Sequence, residues 1–99
     1  MTSKDNDENV VRLCRGFGNA TRLEILRQIG LGCCNVGEIV EQLGLEQSRV
    51  SKHLAVLLNV GMVRCEVDGP RRCYRLEQPK ATMKILLLLK EMQAATNRT

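Results

Sequence analysis

The 99-residue sequence predicts a mainly helical fold of about five helices plus a two-stranded hairpin, arranged as a winged helix-turn-helix. Three observations predict it. Asn35-Val36-Gly37-Glu38 is a capping box, with an Asn cap and a Glu three positions on, and it opens a helix. Gly44 can take positive φ and turn the chain sharply into a further helix from about Gln47 to Asn59. After Gly61 the apolar period drops from 3.6 to 2. Val63, Cys65 and Val67 alternate with Arg64 and Glu66, Asp68-Gly69-Pro70 is a turn signal, and Arg71 to Leu76 is the return strand.

Taken in order, residues 1–7 are expected as a flexible tail and residues 8–96 as one domain. Val10, Val11, Leu13, Cys14 and Phe17 mark a short first helix ending near Gly16 or Gly18, with Cys14 in the core. Asn19 caps a second helix through Ile29, whose apolar face is Leu23, Ile25, Leu26 and Ile29; Gly30 and Gly32 end it. In the third helix Ile39, Val40 and Leu43 face inward. In the fourth, Val50, Leu54, Leu57 and Leu58 form the buried stripe. Pro79 starts a last helix to about Thr96. Its middle, from Met83 through Ile85–Leu89 to Met92, has little polar face and needs cover on more than one side. A homodimer interface shared with the first helix is expected to supply that cover; the alternative is that the helix fills a large groove in its own core.

The hairpin register has two readings. A two-residue Asp68-Gly69 loop suits the apolar alternation and puts Cys65 opposite Arg72. A three-residue Asp68–Pro70 loop suits the missing N–H of Pro70 and puts Cys65 opposite Cys73, where a disulfide becomes a minor possibility.

Lys and Arg number 15 against 11 Asp and Glu, for a net charge of +4. The first nine residues are acidic on balance, with Lys4 against Asp5, Asp7 and Glu8, so the positive excess falls on the rest of the chain. A basic body fits a polyanionic partner. The polar N-terminus has no apolar signal segment, and Ile85–Leu89 is too short to span a membrane, so a cytoplasmic protein with reduced thiols is expected. One histidine, no nucleophile–base pairing, no phosphate loop and no Cys-x-x-Cys argue against an enzyme.

The face of the fourth helix opposite its apolar stripe carries Gln47, Ser48, Arg49, Ser51, Lys52 and His53. Arg bridges guanine O6 and N7, Gln pairs with adenine, and Ser and Lys reach bases or phosphates. They cluster in the first half of the helix, the end that enters the major groove in helix-turn-helix docking. Arg64, Arg71, Arg72 and Arg75 on the hairpin suit phosphate or minor-groove contact. Together they predict a reader of double-stranded DNA.

Gly18-Asn19-Ala20-Thr21-Arg22-Leu23-Glu24-Ile25-Leu26, Leu45-Glu46-Gln47-Ser48-Arg49-Val50-Ser51-Lys52-His53-Leu54, Gly61-Met62-Val63-Arg64 and Tyr74-Arg75-Leu76 resemble successive signatures of ArsR/SmtB-type repressors. The resemblance covers roughly residues 10–92. It implies a homodimer that binds a palindromic operator, represses its operon and releases it when a metal, metalloid or oxidant binds. Glu46 departs from the Ser that many members carry at the cap of the recognition helix. The family's interhelical zinc site needs His and carboxylates on the last helix, but residues 79–99 offer Glu91 and no His or Asp. Its arsenic and cadmium site uses Cys-x-Cys at the start of the third helix, where this chain has Asn35 and Gly37.

The chain instead has Cys33 and Cys34, adjacent and just before that helix. A positive helix end favours thiolate, which peroxide oxidises to a sulfenic acid that a neighbouring thiol resolves. Adjacent Cα atoms lie about 3.8 Å apart, whereas disulfides prefer about 4.4–6.8 Å, so a vicinal disulfide is strained and labile. The expectation is a repressor switched off by oxidation of Cys33–Cys34, with no cofactor. The alternatives are As(III) or a soft metal as inducer on the same cysteines, and a non-sensing DNA-binding module controlled by a protein partner.

Overall fold

The computed structural model describes residues 3–33 and 35–97, with side chains from Asp7 onward. The elements are α1 (Ser3–Phe17), α2 (Ala20–Gly30), α3 (Val36–Leu43), α4 (Gln47–Asn59), β1 (Val63–Asp68), β2 (Arg71–Leu76) and α5 (Pro79–Thr96). Five helices and an antiparallel hairpin make the winged helix-turn-helix that the periodicity predicts.

Local chemistry sets the helix starts. Asn35 is extended, and its side chain accepts from the Glu38 backbone N–H at 2.8 Å, while the Glu38 carboxylate accepts from the Asn35 N–H at 3.3 Å. The capping box is closed in both directions. Gly44, at φ 65°, ends α3 by donating its N–H to Val40 at 2.8 Å and aims the chain into α4. Asn19 caps α2 by accepting from the Arg22 N–H.

Ile25, Leu26, Ile39, Val50 and Leu57 are completely buried, and Leu54 nearly so. They come from α2, α3 and α4, so the turn between α3 and α4 rests on one aliphatic cluster. Fully burying such a side chain contributes roughly 1.5–3 kcal/mol. Val63, Tyr74 and Leu76 extend the cluster under the hairpin, and Leu86 ties in α5. The Glu77 N–H donates to the Met62 carbonyl at 3.0 Å and fastens the hairpin base to the end of α4.

Four expectations change. Helix α1 begins at Ser3, so residues 3–7 are helical rather than a loose tail. Cys14 is exposed on α1 and not in the core. Leu58 is 38 % exposed because Val50, Leu54 and Leu57 already span the buried stripe of α4.

The hairpin follows neither predicted register. Asp68 pairs with Arg71, leaving Gly69-Pro70 as a two-residue loop with Gly69 at φ 61°. Placing Pro70 inside the loop removes any need for its N–H in the ladder. It also keeps the apolar face continuous: Val63 opposes Leu76 and Cys65 opposes Tyr74. Cys73 opposes Glu66 on the other face, so no Cys65–Cys73 bond forms, and the Cys65 thiol is free.

Candidate nucleic-acid interface

Helix α4 buries Val50, Leu54 and Leu57 and exposes Gln47, Ser48, Arg49, Ser51 and Lys52 on its opposite side. His53 is half-buried. The rigid stripe below fixes where these polar groups point.

Two of the six are held by the rest of the chain. The Arg49 guanidinium donates to Thr21 Oγ1 at 3.2 Å, joining α4 to the first turn of α2. His53 Nδ1 lies 3.4 Å from Arg22 Nη1. Arg22 also donates to the carbonyls of Gly16 at 3.2 Å and Arg15 at 2.7 Å, at the end of α1. Burial holds the His53 pKa below its usual 6.5, and the positive charges of Arg22, Arg49 and Lys52 lower it further. At neutral pH His53 is therefore an uncharged imidazole, suited to hydrogen bonding but not to pairing electrostatically with phosphate. Thr21 and Arg22 are the positioning residues that periodicity missed. They stand in the Gly18–Leu26 signature, but nothing local in it says that they reach α4.

The hairpin arginines divide in a similar way. Arg71 and Arg72 are exposed beside the wing tip. Arg64, at the hairpin base, pairs with Glu77 at 2.9 Å and Glu66 at 3.2 Å, and Arg75 Nε lies 3.5 Å from Glu66. These exposed pairs add little stability. They do neutralise the hairpin base, so the net positive charge of the wing is concentrated at its tip.

An open cleft of about 1130 Å³ separates the hairpin from the start of α3. Asn35, Val36, Gly37 and Glu38 form one wall, Ser51 of α4 joins it, and Glu66, Asp68 and residues 70–75 form the other. Ser51 of α4 and the wing arginines Arg71 and Arg72 thus line one cleft.

The cysteine predicted to sense at the foot of α3 is half-buried. Cys33 Sγ lies 3.5 Å from Gln28 Oε1, and its backbone N–H donates to the Gln28 carbonyl at 2.9 Å. Its thiol is free. Cys34 lies outside the described residues. Cys73 is disulfide-bonded. Among the described residues no three His, Cys, Asp or Glu side chains are grouped to hold a metal ion, and no helix is long and apolar enough to cross a membrane.

Residues 19–64, which run from the cap of α2 into β1, match the family described as "Bacterial regulatory protein, arsR family". HlyU of Vibrio cholerae, a transcriptional activator, is 32 % identical over 83 residues, covering 84 % of this chain and 77 % of that protein. The chain belongs to the arsR family of bacterial regulatory proteins. The structure of reduced HlyU from V. cholerae N16961 superposes on this family member with a TM-score of 0.75 at 31 % identity, covering 88 % of this chain and 94 % of that one. A probable mercury resistance operon repressor of Streptomyces lividans is 32 % identical over 80 residues, 81 % of this chain. The regulator KmtR of Mycobacterium tuberculosis is 38 % identical over 68 residues, 69 % of this chain. The chain spans 64 % of the mercury repressor and 52 % of KmtR.

Proposed function

We propose that the protein is a homodimeric transcriptional repressor that binds a palindromic operator through α4 and the wing, and that oxidation at the Cys33–Cys34 site releases it. The observation that carries the reading is the shared surface of Ser51 and the wing arginines Arg71 and Arg72, next to an α4 face whose Gln47, Ser48 and Lys52 are exposed. Such a surface suits a helix in the major groove with cations on the flanking phosphates. Membership in a family of bacterial regulators supports it. A dimer on a promoter-proximal palindrome blocks polymerase without further machinery. Thiol control is supported by the place of Cys33 at the foot of the helix-turn-helix and by a relative solved in a form described as reduced.

The second reading replaces the oxidant with As(III) or a soft metal on the same cysteines. Its support is the relative that represses a mercury resistance operon. Thiolates suit such ions.

The test is fluorescence anisotropy with DNA from upstream of the protein's own coding region. Gln47→Ala and Lys52→Ala are expected to weaken binding, Gln47→Ala with loss of sequence preference and Lys52→Ala with a shallower salt dependence. Peroxide is expected to weaken wild-type binding and dithiothreitol to restore it. A Cys33→Ser/Cys34→Ser double variant that still responds to peroxide, As(III) or Hg(II) like wild type overturns sensing at this site, and wild-type binding that responds to none of them leaves control by a protein partner. Operator binding that activates transcription in vitro overturns the repressor assignment.

A further inference from the structure

Val50, Leu54 and Leu57 of α4 share one aliphatic cluster with Ile25, Leu26 and Ile29 of α2. Burial of this kind is non-directional. It selects the buried face of α4 but leaves the roll of the helix about its own axis loosely fixed. Two directional contacts cross the same junction. Arg49 Nη2 donates to Thr21 Oγ1 at 3.2 Å, and Arg22 Nη1 lies 3.4 Å from His53 Nδ1. Thr21 and Arg22 are consecutive in the first turn of α2. Arg49 and His53 stand four residues apart on one side of α4, about 6 Å along its axis. The other two nitrogens of Arg22 donate to the carbonyls of Gly16 and Arg15, so the second contact is itself braced against α1. An arginine only donates, so His53 Nδ1 is the acceptor and the ring proton sits on Nε2.

We propose that Thr21 and Arg22 clamp α4 at two points, and that Arg49, held on Thr21, is a positioning residue that sets operator discrimination rather than a reader of bases. The proposal rests on the reading above in which α4 enters the major groove. One contact alone would leave a pivot, whereas two contacts spaced along the axis fix the roll. Ser48 and Lys52 each precede an anchored residue by one position, about 100° round the helix, and both are exposed. A side-chain tip about 6 Å from the axis moves about 1 Å for every 10° of roll. The donor–acceptor window of a hydrogen bond is only about 0.5 Å wide. A small roll therefore misplaces Ser48 and Lys52 against base edges, while the attraction to phosphates, which is blind to sequence, persists. The position of Arg49 on α4 makes it a candidate for guanine, but a guanine fork takes two donors from one arginine. One terminal nitrogen of Arg49 is already engaged by Thr21, which is buried.

The test uses the full chain and compares anisotropy isotherms on DNA from upstream of the coding region and on a scrambled duplex. The proteins are wild type, Thr21→Val, Thr21→Ser, Arg49→Ala and Thr21→Val/Arg49→Ala, each across a salt series, with thermal melts alongside. Thr21→Val removes the acceptor and no charge. It is expected to lower the operator-to-scrambled affinity ratio about tenfold, the effect of spoiling one base pair of a site. Affinity for scrambled DNA and the salt slope are expected to stay as in wild type. Thr21→Ser keeps the hydroxyl and is expected to keep the ratio. Arg49→Ala is expected to lower the ratio by the same factor as Thr21→Val, and the double variant no further, because both remove one contact. A ratio lost in Arg49→Ala but kept in Thr21→Val makes Arg49 a base reader and overturns the proposal while leaving α4 as the DNA-reading helix. Additive losses in the double variant overturn it in the same way. A Thr21→Val chain that melts lower and loses affinity for both duplexes alike confines the hydroxyl to stability and also overturns it. Wild type that binds both duplexes equally overturns the reading of α4 itself, and the clamp's role with it.

Discussion

Arg22 joins the end of α1, through the carbonyls of Arg15 and Gly16, to His53 in the middle of α4. It is a positioning residue: it ties α4 to the end of α1 without itself standing on the exposed face of α4. Arg22→Ala is expected to cost about 1–2 kcal/mol in urea denaturation, the range for hydrogen bonds from a charged donor. It should also raise the His53 pKa, because one of the cations that lowers it is gone. The chain has one histidine, so a single imidazole resonance in an NMR titration reports this, and a resonance that does not move removes Arg22 as a cause. The same shift links His53 to stability. The folded pKa lies below the unfolded 6.5, so the unfolded chain takes up its proton first as pH falls, and stability is lost from about 6.5 downward. Urea midpoints at pH 7.5 and 5.5 should therefore fall further apart in wild type than in His53→Asn; equal gaps would remove the linkage. The exposed set on α4 was legible in the sequence because a period of 3.6 fixes which positions oppose Val50, Leu54 and Leu57. The tethers were not, since Thr21–Arg49 and Arg22–His53 join residues 28 and 31 positions apart, and no local pattern encodes that contact.

Among the elements, α3 and α4 were readable because their boundaries are chemical: a reciprocal Asn35–Glu38 cap, a left-handed Gly44, and an apolar stripe between them. The hairpin was readable as a hairpin but not in register. The turn offered Asp68, Gly69 and Pro70, and only the whole fold decides which two close it, by keeping Cys65 with Tyr74 over the core and placing Pro70 where no ladder N–H is needed. The start of α4 carries a prediction of its own. Glu46 holds the cap position with extended backbone, yet its side chain makes no capping hydrogen bond, and its carboxylate stands beside the face expected to meet phosphate. Glu46→Ser supplies a shorter side chain that accepts from the first-turn N–H groups, and it removes a negative charge. Stability should rise by about 0.5–1 kcal/mol, and operator affinity should rise with it at low salt, converging on wild type as salt screens the charge. A thermal melt and a salt series of binding isotherms check both. Gain in stability without gain in affinity would place Glu46 away from the DNA backbone.

At the scale of the whole molecule, the apolar run of α5 is only partly used by its own chain. Thr82 and Leu86 are buried, and Met83 packs against the core. Leu87 is 61 % exposed and Met92 66 %, with Ile85, Leu88 and Leu89 also open. On α1, Val10, Val11 and Leu13 are similarly uncovered. So much apolar surface on two terminal helices is what a second copy of the chain would bury, and a paired molecule would present two α4 helices to the two halves of a palindrome. Leu87→Glu/Met92→Glu separates this from a merely apolar surface. In a monomer, exposed substitutions of this kind shift stability by no more than about 0.5 kcal/mol each. In a dimer they bury unpaired charges at the interface. Sedimentation should then show a single chain where wild type sedimentes as two, with α4 and the hairpin retaining their circular dichroism. Binding to a full operator should fall by well over tenfold, towards the affinity of a half-site, and the slope of affinity against salt should drop as half of the phosphate contacts are lost. A variant that remains dimeric would move the interface off α5, and a monomer that binds the full operator with unchanged affinity and salt slope would show that one chain is enough to read it.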